Sequence, residues 1–578
     1  MNYEIKLQDA IKTVTLDQDK IISPEETVKR FKEKSCKLNL NILNKTERID
    51  NGRLGIPVFF SECGQDAKDI IGTNKQMGKG ATPEQAEASA VMELVERFSF
   101  FSFMNNQDNF IIDTYKNLEK DALPFSMILQ SVHDQEGDIK AKKKIFENLP
   151  LKWTKGYDLT NKKQVLVPFD WFYMINEFNG PSAGNCREEA ISQGICEVVE
   201  RHTSSLVSQK MLSVPGIDPE SVTDPMVVEM LAKYKKAGVS VYISDFTQDM
   251  GIPTIGVMAY DEATFPVMSE IVWTAGTTPD PQKALSRALT ETAQLGGDFN
   301  TGSNFVASGL PKFTAIDQAD FIMNPAKTIS IDDLPDVSDN NIKIEVENMA
   351  AALLKKNMKV ILIDVMHKGL EIPAFYTIIP GAHFRERAAD ASIGMFSARF
   401  ITESFKPLEA LQKLDEIEQL IPKQYYTHFY KGLAYLSLSD NKSALGHFEK
   451  ALSLDPARMN IPDICSYMGL CLKDMEQYEK ALKILAKGEK VDEQRTDILN
   501  LIGFCHFKLK NHEKAIQSFK KIIAIDPSSA IDYANVASNY RDMGNIKAAI
   551  KYYEMALEID PLISFAKENL DRLKIEKK

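Results

Sequence analysis

Residues 189–201 read EAISQGICEVVER, and residues 93–97 carry the related string ELVER. On an α-helix of 3.6 residues per turn, the polar side chains of the longer string form one stripe, with apolar side chains behind it. The members of this stripe are Glu189, Gln193, Glu197, Glu200 and Arg201. A helix of this kind buries its back in a core and presents carboxylates and a guanidinium group forward. The string therefore predicts a helix that belongs both to the core and to a polar site.

The same pattern occurs three times in the first 300 residues. Aligned on their central acids, the three stretches match at four positions. The matched sets are Ala86, Ala190 and Ala284; Ser89, Gln193 and Arg287; Glu93, Glu197 and Glu291; and Glu96, Glu200 and Gln294. One charged helix face is usually a solvated surface with weak ion pairs. Three matched faces, two of them with the string E-x-x-E-R, indicate one motif used three times.

Carboxylates that gather in one cleft repel each other unless a cation joins them. Mg²⁺ fits this role, because it prefers oxygen ligands, takes one or two carboxylates, and completes its shell with phosphate oxygens and water. Guanidinium groups clamp phosphate or hold carboxylates in place. The second helix also follows the small-residue loop 182–185, whose backbone N–H groups could meet an anion. We therefore expect a site for Mg²⁺ and a phosphate-bearing ligand.

The last third of the chain repeats with tetratricopeptide spacing. Glycine recurs at positions 432, 469 and 503, and proline recurs at 527 and 561. Small residues at these intervals predict close crossings of paired helices, aromatic residues fill the space between them, and proline ends the second helix of a pair. The segment after Pro561 is rich in Lys and Glu, which is typical of a solvating cap helix.

Residues 1–405 alternate helical patterns with short apolar strands, so we predict a mixed α/β (α+β) domain there and an all-α repeat domain over 406–578. Within the first domain, the segments 235–253 and 355–373 resemble each other. Both read as a helix, a buried strand, a turn and a second strand, which predicts an internally duplicated sheet layer.

Composition excludes several classes of function. The net charge of −12 gives no support to nucleic acid as a partner. The seven cysteines form no C-x-x-C pair and are odd in number, so we expect reduced, mostly buried thiols. The sequence offers no apolar run of membrane-spanning length and no basic, apolar leader, so we expect a cytoplasmic protein that does not contact membranes.

The three acidic stretches resemble the motifs of the YcaO family. The matching residues are Ser89-x3-Glu93-x2-Glu96-Arg97, Ser182-x6-Glu189-x3-Gln193-x3-Glu197-x2-Glu200-Arg201, and Ala284-Leu285-x-Arg287-x3-Glu291-x2-Gln294. The resemblance implies an ATP-binding fold and the activation of a peptide backbone amide. In that family a nucleophile adds to the carbonyl, ATP phosphorylates the oxygen, and phosphate leaves. A neighbouring Cys, Ser or Thr then gives an azoline, as in a cyclodehydratase, and external sulfide gives a thioamide.

The residues and the resemblance together predict roles for the polar residues of the three stretches, and for Lys79 and Asn185, which precede two of them. The predicted Mg²⁺ ligands are Glu93, Glu96, Glu189, Glu197, Glu200 and Glu291. The predicted ATP contacts are Lys79, Ser89, Arg97, Ser182, Asn185, Gln193, Arg201 and Gln294. The predicted catalytic residues are Glu197, Glu200 and Arg287.

The branch of the family is open on sequence grounds. Residues 23–27 (SPEET) and 53–58 (RLGIPV) resemble the branch that works with a TfuA partner on thioamides, although Ile21-Ile22 replaces its usual His-Arg. The chain ends in repeats instead of the PxPxP tail of many azoline-forming members, and Thr278 stands where many members have histidine. The partners we expect are a peptide or protein substrate, a TfuA-like or sulfur-donor protein, proteins bound by the repeats, and a second copy in a homodimer. The alternative is a nucleotide-binding scaffold that recruits partners, for example in ribosomal-protein methylthiolation.

Overall fold

The computed structural model describes residues 4–13, 19–302, 310, 313–384 and 391–576. The chain divides into two compact units. The first comprises Met1–Gly137 and Glu147–Ser392, and the second comprises Asp138–Phe146 and Ile393–Lys578. This division lies earlier than the predicted boundary at 405/406, because the helix Ile393–Ser404 packs on helices of the second unit, as does a short helix within Asp138–Phe146.

The strands found in the described residues all belong to the first unit. They are β1 Leu43–Arg48, β2 Val58–Cys63, β3 Lys75–Lys79, β4 Ile111–Asp113, β5 Leu151–Asp158, β6 Lys163–Pro168, β7 Pro181–Ala183, β8 Gly216–Ile217, β9 Ser240–Asp245, β10 Thr254–Tyr260, β11 Val272–Thr277, β12 Thr328–Ile329, β13 Ile361–Asp364 and β14 Ala374–Ile378.

The helices up to residue 355 are α1 Pro24–Lys37, α2 Gln65–Ile71, α3 Pro83–Asn105, α4 Tyr115–Leu118, α5 Phe125–Ser131, α6 Ile139–Phe146, α7 Phe169–Asn176, α8 Arg187–Gln209, α9 Pro225–Lys236, α10 Pro281–Gly296, α11 Asp320–Met323 and α12 Ile342–Lys355. The later helices are α13 Ile393–Ser404, α14 Pro407–Leu420, α15 Tyr425–Ser437, α16 Asn441–Ser453, α17 Ile461–Asp474, α18 Tyr478–Val491, α19 Thr496–Lys508, α20 His512–Ile525, α21 Ala530–Asp542, α22 Ile546–Ile559 and α23 Ser564–Glu576.

Three sheets form the frame of the first unit. One has the order β1-β2-β3, a second β11-β10-β9-β8-β12, and a third β4-β5-β13-β14-β7 with β6 also paired to β5. The predicted duplication is confirmed, because α9-β9-β10 and α12-β13-β14 are both a helix followed by an antiparallel strand pair. The mixed α/β class predicted for this part of the chain is confirmed as well.

The three acidic stretches are α3, α8 and α10, and each follows a strand after a short loop: β3, β7 and β11. Four positions keep the same intervals in all three strand–helix units: a strand residue that touches the helix, the helix N-cap, an alanine and the central acid. They are Gly78, Thr82, Ala86 and Glu93; Ser182, Cys186, Ala190 and Glu197; and Gly276, Asp280, Ala284 and Glu291. The three strand–helix units are therefore structural repeats of each other.

Close contact between strand and helix explains the small residues at the first of these positions. A Cβ atom added to Gly78 would lie 2.5 Å from the carbonyl oxygen of Ala86, and one added to Gly276 would lie 2.4 Å from that of Ala284. Such distances leave no room for a side chain. In the strand–helix unit of β7 and α8 the strand residue is Ser182, and its hydroxyl donates a hydrogen bond to the equivalent carbonyl, that of Ala190, at 2.8 Å.

The regular elements in the described residues of the second unit are all helices, and its main part is a series of packed pairs, α15/α16, α17/α18, α19/α20 and α21/α22, followed by α23. Gly432, Gly469 and Gly503 lie against the side chain of the partner helix; for Gly503 that side chain is Phe519. The predicted repeat pattern and the cap helix are thus confirmed.

All seven cysteines lie in the described part of the chain and are free thiols, and five of them are buried, as expected. Within the same ranges, no helix is both long and apolar enough to cross a membrane.

Candidate functional site

A cavity of about 630 Å³ lies in the first unit, where the three strand–helix units meet. Most of the predicted site residues line it. From the first strand–helix unit they are Lys79, Ser89, Glu93, Glu96 and Arg97; from the second, Asn185, Glu189, Gln193, Glu197 and Arg201; from the third, Arg287, Glu291 and Gln294. The structure therefore brings together three polar stripes that are distant in sequence.

Arg97 organises the part of the site contributed by α3. Its Nε and Nη2 atoms donate to Glu93 Oε1 at 3.0 and 2.8 Å, and Nη2 lies 3.5 Å from Glu96 Oε1. Its Nη1 donates to the carbonyl of Phe178 at 3.3 Å. One guanidinium group thus holds two carboxylates of its own helix and the loop before β7.

Glu200 lies deeper, between Arg201 of its own helix and Arg287 of α10. Its Oε1 atom is 3.6 Å from Arg201 Nη1, and its Oε2 atom is 3.6 Å from Arg287 Nε. Oε2 also accepts the backbone N–H of Thr277 at 3.2 Å. Glu200 is almost fully buried and does not line the cavity, so the structure does not support its predicted roles as a Mg²⁺ ligand and as a catalytic residue. It places Glu200 behind the arginines instead.

A lysine from β3 reaches the third helix. Lys79 Nζ forms an ion pair with Glu291 Oε2, and both groups line the cavity. On the same helix, Arg287 Nη1 donates to Gln193 Oε1 at 2.9 Å. These contacts link β3 to α10, and α10 to α8.

Glu189 is engaged with backbone as well as side-chain donors. Its Oε1 atom accepts the N–H of Ile21 at 2.7 Å, and its Oε2 atom accepts both the backbone and the side-chain amide of Asn185 at 2.9 and 3.0 Å. The segment before α1 therefore attaches to the rim of the cavity through Glu189.

The structure does not place Ser182 in the cavity, although it was predicted to contact ATP. Its side chain is fully buried and its hydroxyl bonds the carbonyl of Ala190. Ser182 is the counterpart of Gly78 and Gly276, and it fills the strand–helix contact. The prediction treated it as a loop residue, whereas it lies within β7.

Burial determines the ionisation of the central acids. Burial raises the pKa of Glu96 well above its usual range, and the neighbouring Glu93 carboxylate raises it further. Burial also raises the pKa of Glu197 and of Glu200, although Arg201 acts in the opposite direction. For Glu291 the effect of burial is outweighed by Lys79 and Arg201, and the pKa is lowered. A further cation in the cavity would stabilise the charged forms of Glu96, Glu197 and Glu200, whose pKa values are raised.

The residues fit a nucleotide with a divalent cation. Arg201 and Arg287 line the cavity, so the guanidinium N–H groups that face it can donate to phosphate oxygens. Within the described ranges, no three acidic, histidine or cysteine side chains form a ready metal centre. Because Mg²⁺ usually takes one or two carboxylates and completes its shell with phosphate and water, the paired acids still suit it.

Several cavity residues were not predicted from the motifs. Asp19, Lys20, Ile22, Pro24 and Thr27 border the cavity from the N-terminal side, and Met226 and Lys283 border it from α9 and α10. The string SPEET at residues 23–27 resembles one branch of the family, but no spacing in it predicts that Pro24 and Thr27 border the cavity. Met226 carried no pattern that would identify it.

Comparisons with known proteins agree with this site. The family model described as "YcaO cyclodehydratase, ATP- and Mg²⁺-binding" matches residues 77–383, more than half of the chain. A tetratricopeptide repeat model matches residues 494–561, and a model named for subunit 3 of the anaphase-promoting complex, or cyclosome, matches residues 437–522.

Among similar proteins, an uncharacterized protein of Methanothermobacter thermautotrophicus is 28% identical and the match covers 62% of this chain and 94% of that protein. A protein in the tfuA 3′ region of Rhizobium leguminosarum is 27% identical over 38% of this chain and 53% of its own length. The ribosomal protein S12 methylthiotransferase accessory factor YcaO of Escherichia coli is 26% identical over 49% of this chain and 50% of its own length. This chain thus spans about half of the last two proteins.

A solved heterocyclase structure, in complex with substrate and cofactor, superimposes with a TM-score of 0.53 at 20% identity, covering 66% of this chain and 55% of that one. At this identity the match supports the fold. The cavity geometry and the family match together lead to one conclusion: the chain belongs to the YcaO family, with ATP and Mg²⁺ as cofactors and with tetratricopeptide repeats following its YcaO domain.

Proposed function

We propose that this protein uses ATP and Mg²⁺ to activate a backbone amide of a peptide or protein, as a post-translational modification. A nucleophile adds to the amide carbonyl, the oxygen receives the terminal phosphoryl group of ATP, and phosphate leaves with that oxygen. An adjacent Cys, Ser or Thr would give an azoline, and sulfide would give a thioamide. The observation that carries the proposal is the cavity in which three repeated helices bring five carboxylates together with three guanidinium groups.

When bound, the nucleotide with its metal supplies the phosphoryl group and neutralises part of its charge. The chain's own residues position these partners. Arg201 and Arg287 line the cavity and are suited to hold phosphate oxygens, and Lys79 adds a third cation. Glu93, Glu96, Glu189, Glu197 and Glu291 line the cavity and are the residues that would supply oxygen ligands for Mg²⁺. Ser89, Asn185, Gln193 and Gln294 are the polar contacts for the rest of the nucleotide.

We favour the thioamide branch, with a TfuA-like or sulfur-donor partner. Two observations support it: the relative encoded in the tfuA 3′ region, and the SPEET string, in which Ser23 caps α1 and Thr27 lines the cavity. The partner protein, the homodimer and the cytoplasmic location remain predictions.

A second function is favoured by a different observation. The E. coli relative is named as an accessory factor of a methylthiotransferase, and this chain carries a repeat array of the kind that recruits proteins. In this alternative the first unit binds nucleotide and the repeats deliver a partner, without a modified amide as product.

Turnover of ATP tests the site. The wild type is expected to hydrolyse ATP in a Mg²⁺-dependent reaction, and Glu197→Gln is expected to lower the rate about 100-fold, since a cavity carboxylate is lost. Glu188→Gln is the matched control, because Glu188 is buried on the same helix, accepts the N–H of Gln8 and lies outside the cavity. Equal rates for Glu197→Gln and the wild type would contradict the assignment.

The mass of the product tests the reaction. Candidate peptides or proteins incubated with ATP, Mg²⁺ and sulfide should exchange one oxygen for sulfur in the thioamide branch, or lose one water in the azoline branch. ATP binding without any change in mass, together with retention of partner proteins by the repeats, would favour the accessory function.

A further inference from the structure

Phe178 is an exposed aromatic residue beside the cavity, and no role in nucleotide binding requires it. It lies in the loop 177–180 between α7 and β7, and 42% of its surface is accessible to solvent. A single exposed apolar residue needs no explanation. Phe178 differs because of its contacts, which lead directly to the cavity.

The ring of Phe178 is part of an aromatic patch, which we define as Phe101, Tyr173 and Phe178. The ring centroids of Phe101 and Tyr173 lie 5.7 and 6.2 Å from that of Phe178. All three side chains are partly exposed. Aromatic groups at these distances form a continuous apolar surface.

The patch meets the cavity at Arg97. The Arg97 Cζ atom lies 5.7 Å from the Phe178 ring centroid, while the same guanidinium group lines the cavity and donates to the Phe178 carbonyl. Two extended residues span about 6.6–7 Å. A peptide side chain lying on Phe178 would therefore have backbone amides within two residues of the cavity.

The loop that carries Phe178 is anchored on both sides. The backbone N–H of Gly180 donates to Glu197 Oε2 at 3.2 Å. Gly180 has φ +102°, and a Cβ atom there would lie 2.2 Å from the carbonyl oxygen of Thr377. Glu177 also has a positive φ, +44°, which is unusual for a residue with a side chain. The loop conformation is therefore closely specified, and the exposed face of Phe178 is held in place.

Charge indicates which side chains the patch would accept. Arg97 is already paired with Glu93 and Glu96, so it has little charge left to attract an acidic residue. The exposed area of the patch is apolar, and burying it favours apolar partners. A long polar or acidic side chain would lose hydration there without gaining a partner.

We propose that the aromatic patch is the peptide subsite of the enzyme, and that it selects substrates with an aromatic or branched aliphatic residue next to the activated amide. This inference rests on the proposed function, because it presupposes that a peptide amide is activated in the cavity. It adds that the peptide approaches from the side of the aromatic patch. Phe178 acts in it as a substrate-binding residue, and the patch determines specificity.

Peptide binding to the full-length protein tests the proposal without catalysis. The probes are two fluorescein-labelled decapeptides with a central Gly-Cys, one flanked by Phe and Leu and the other by Ser and Gln, titrated in Mg²⁺ and a non-hydrolysable ATP analogue. The wild type should bind the apolar peptide about 10-fold more tightly, as expected for a well-packed aromatic contact. Phe178→Ala should remove most of that preference, and Phe178→Tyr should keep it.

Ile112→Ala is the matched control, since Ile112 is 68% exposed on β4 and does not line the cavity. It should leave both affinities unchanged. Equal binding of the two peptides by the wild type, or an unchanged preference in Phe178→Ala, would overturn the proposal.

Two further measurements distinguish a peptide subsite from a support for Arg97 and from a contact between copies. If Phe178→Ala weakened binding of the ATP analogue as much as binding of peptide, the ring would serve only to support Arg97, and the subsite would be wrong. If the substitution changed the oligomeric state, the patch would belong to a contact between copies, and the proposal would fall. Absence of ATP turnover in the wild type would count against the proposed function, while the peptide titration would still decide the subsite.

Discussion

Both units of this protein are built by repetition, but the repeats serve opposite purposes. In the first unit, a strand–loop–helix element occurs three times, and its charged stripes converge on one cavity. In the second, helix pairs occur four times, and their recurring small and aromatic residues fill the spaces between neighbouring helices. Buried charge therefore concentrates in the first unit, where the acids Glu96, Glu197 and Glu200 have raised pKa values.

This difference shows how repetition can produce either a site or a surface. Elements that converge place equivalent side chains opposite each other, so equivalent acids repel and require cations. Helix pairs that stack one after another contact only the adjacent pairs, so equivalent positions in every pair can be apolar.

The largest effect is expected where the strand contacts the helix. Gly78→Ala would place Cβ 2.0 Å from the backbone nitrogen of Ala90, and should lower the stability of the first unit by about 3 kcal/mol or more. Gly503→Ala in the repeats would meet the ring of Phe519 at 2.7 Å, and should cost only about 1–2 kcal/mol since a side chain yields more easily than backbone. Denaturation followed by tryptophan fluorescence measures the loss in the first unit, because Trp153, Trp171 and Trp273 all lie there, and far-UV circular dichroism of the helical second unit measures the loss caused by Gly503→Ala. Equal losses would contradict the comparison.

The next largest effect is on ATP affinity, and it should differ between an arginine of the first unit and one of the second. Arg287 and Arg495 are similarly exposed, at 28% and 29%, and each lies near carboxylates. Arg287→Met should weaken binding of Mg²⁺·ATP about 100-fold, or about 2.7 kcal/mol, because it removes a phosphate clamp. Arg495→Met should leave the affinity unchanged in isothermal titration calorimetry. Parallel losses in the two variants would mean that the cavity does not bind nucleotide through Arg287.

A smaller effect should appear on acidification. His202 is buried beside His383 and His133, and burial, with some repulsion from those rings, lowers its pKa to about 3. The unfolded chain binds a proton at about pH 6.5 that the folded chain does not accept, so stability is lost as the pH falls below that value. Between pH 7.5 and 5.5 the loss is about 1.4 kcal/mol from this one residue.

Denaturant titrations at the two pH values measure this loss, and His202→Asn should reduce it. In the repeats, His428→Asn should change the pH dependence less. Burial lowers the pKa of His428 too, but Glu418, with Oε1 at 3.4 Å from Nε2, raises it again. A larger change in the pH dependence of stability for His428→Asn than for His202→Asn would contradict this prediction.

The smallest effect concerns Ser182. Ser182→Ala should cost about 1 kcal/mol of stability, the value of one lost hydrogen bond, and leave ATP affinity unchanged. Ser89→Ala should weaken ATP binding and leave the stability unchanged, because Ser89 lines the cavity. Weaker ATP binding by Ser182→Ala would contradict this assignment and show that Ser182 contacts the nucleotide.

Much of this architecture could be predicted from the sequence, because helical periodicity is local. The stripes of α3, α8 and α10 follow from residue spacing alone, as do the repeat helices. The division between units could not be predicted in this way, since α13 is an ordinary amphipathic helix and only tertiary packing decides which unit it joins. The position of Ser182 could not be predicted from its small size, because a small residue is equally suited to a loop and to a strand–helix contact such as those of Gly78 and Gly276.

The fixed intervals within the three strand–helix units have a consequence for insertions and deletions. Each residue added within the helix, between the N-cap and the central acid, would rotate that acid by about 100° around its helix and turn it away from the cavity. Distant relatives should therefore keep the length of these three segments even where they exchange the residues. Gaps in an alignment should fall elsewhere, and a gap inside one of these segments would identify a chain whose cavity has lost an acid.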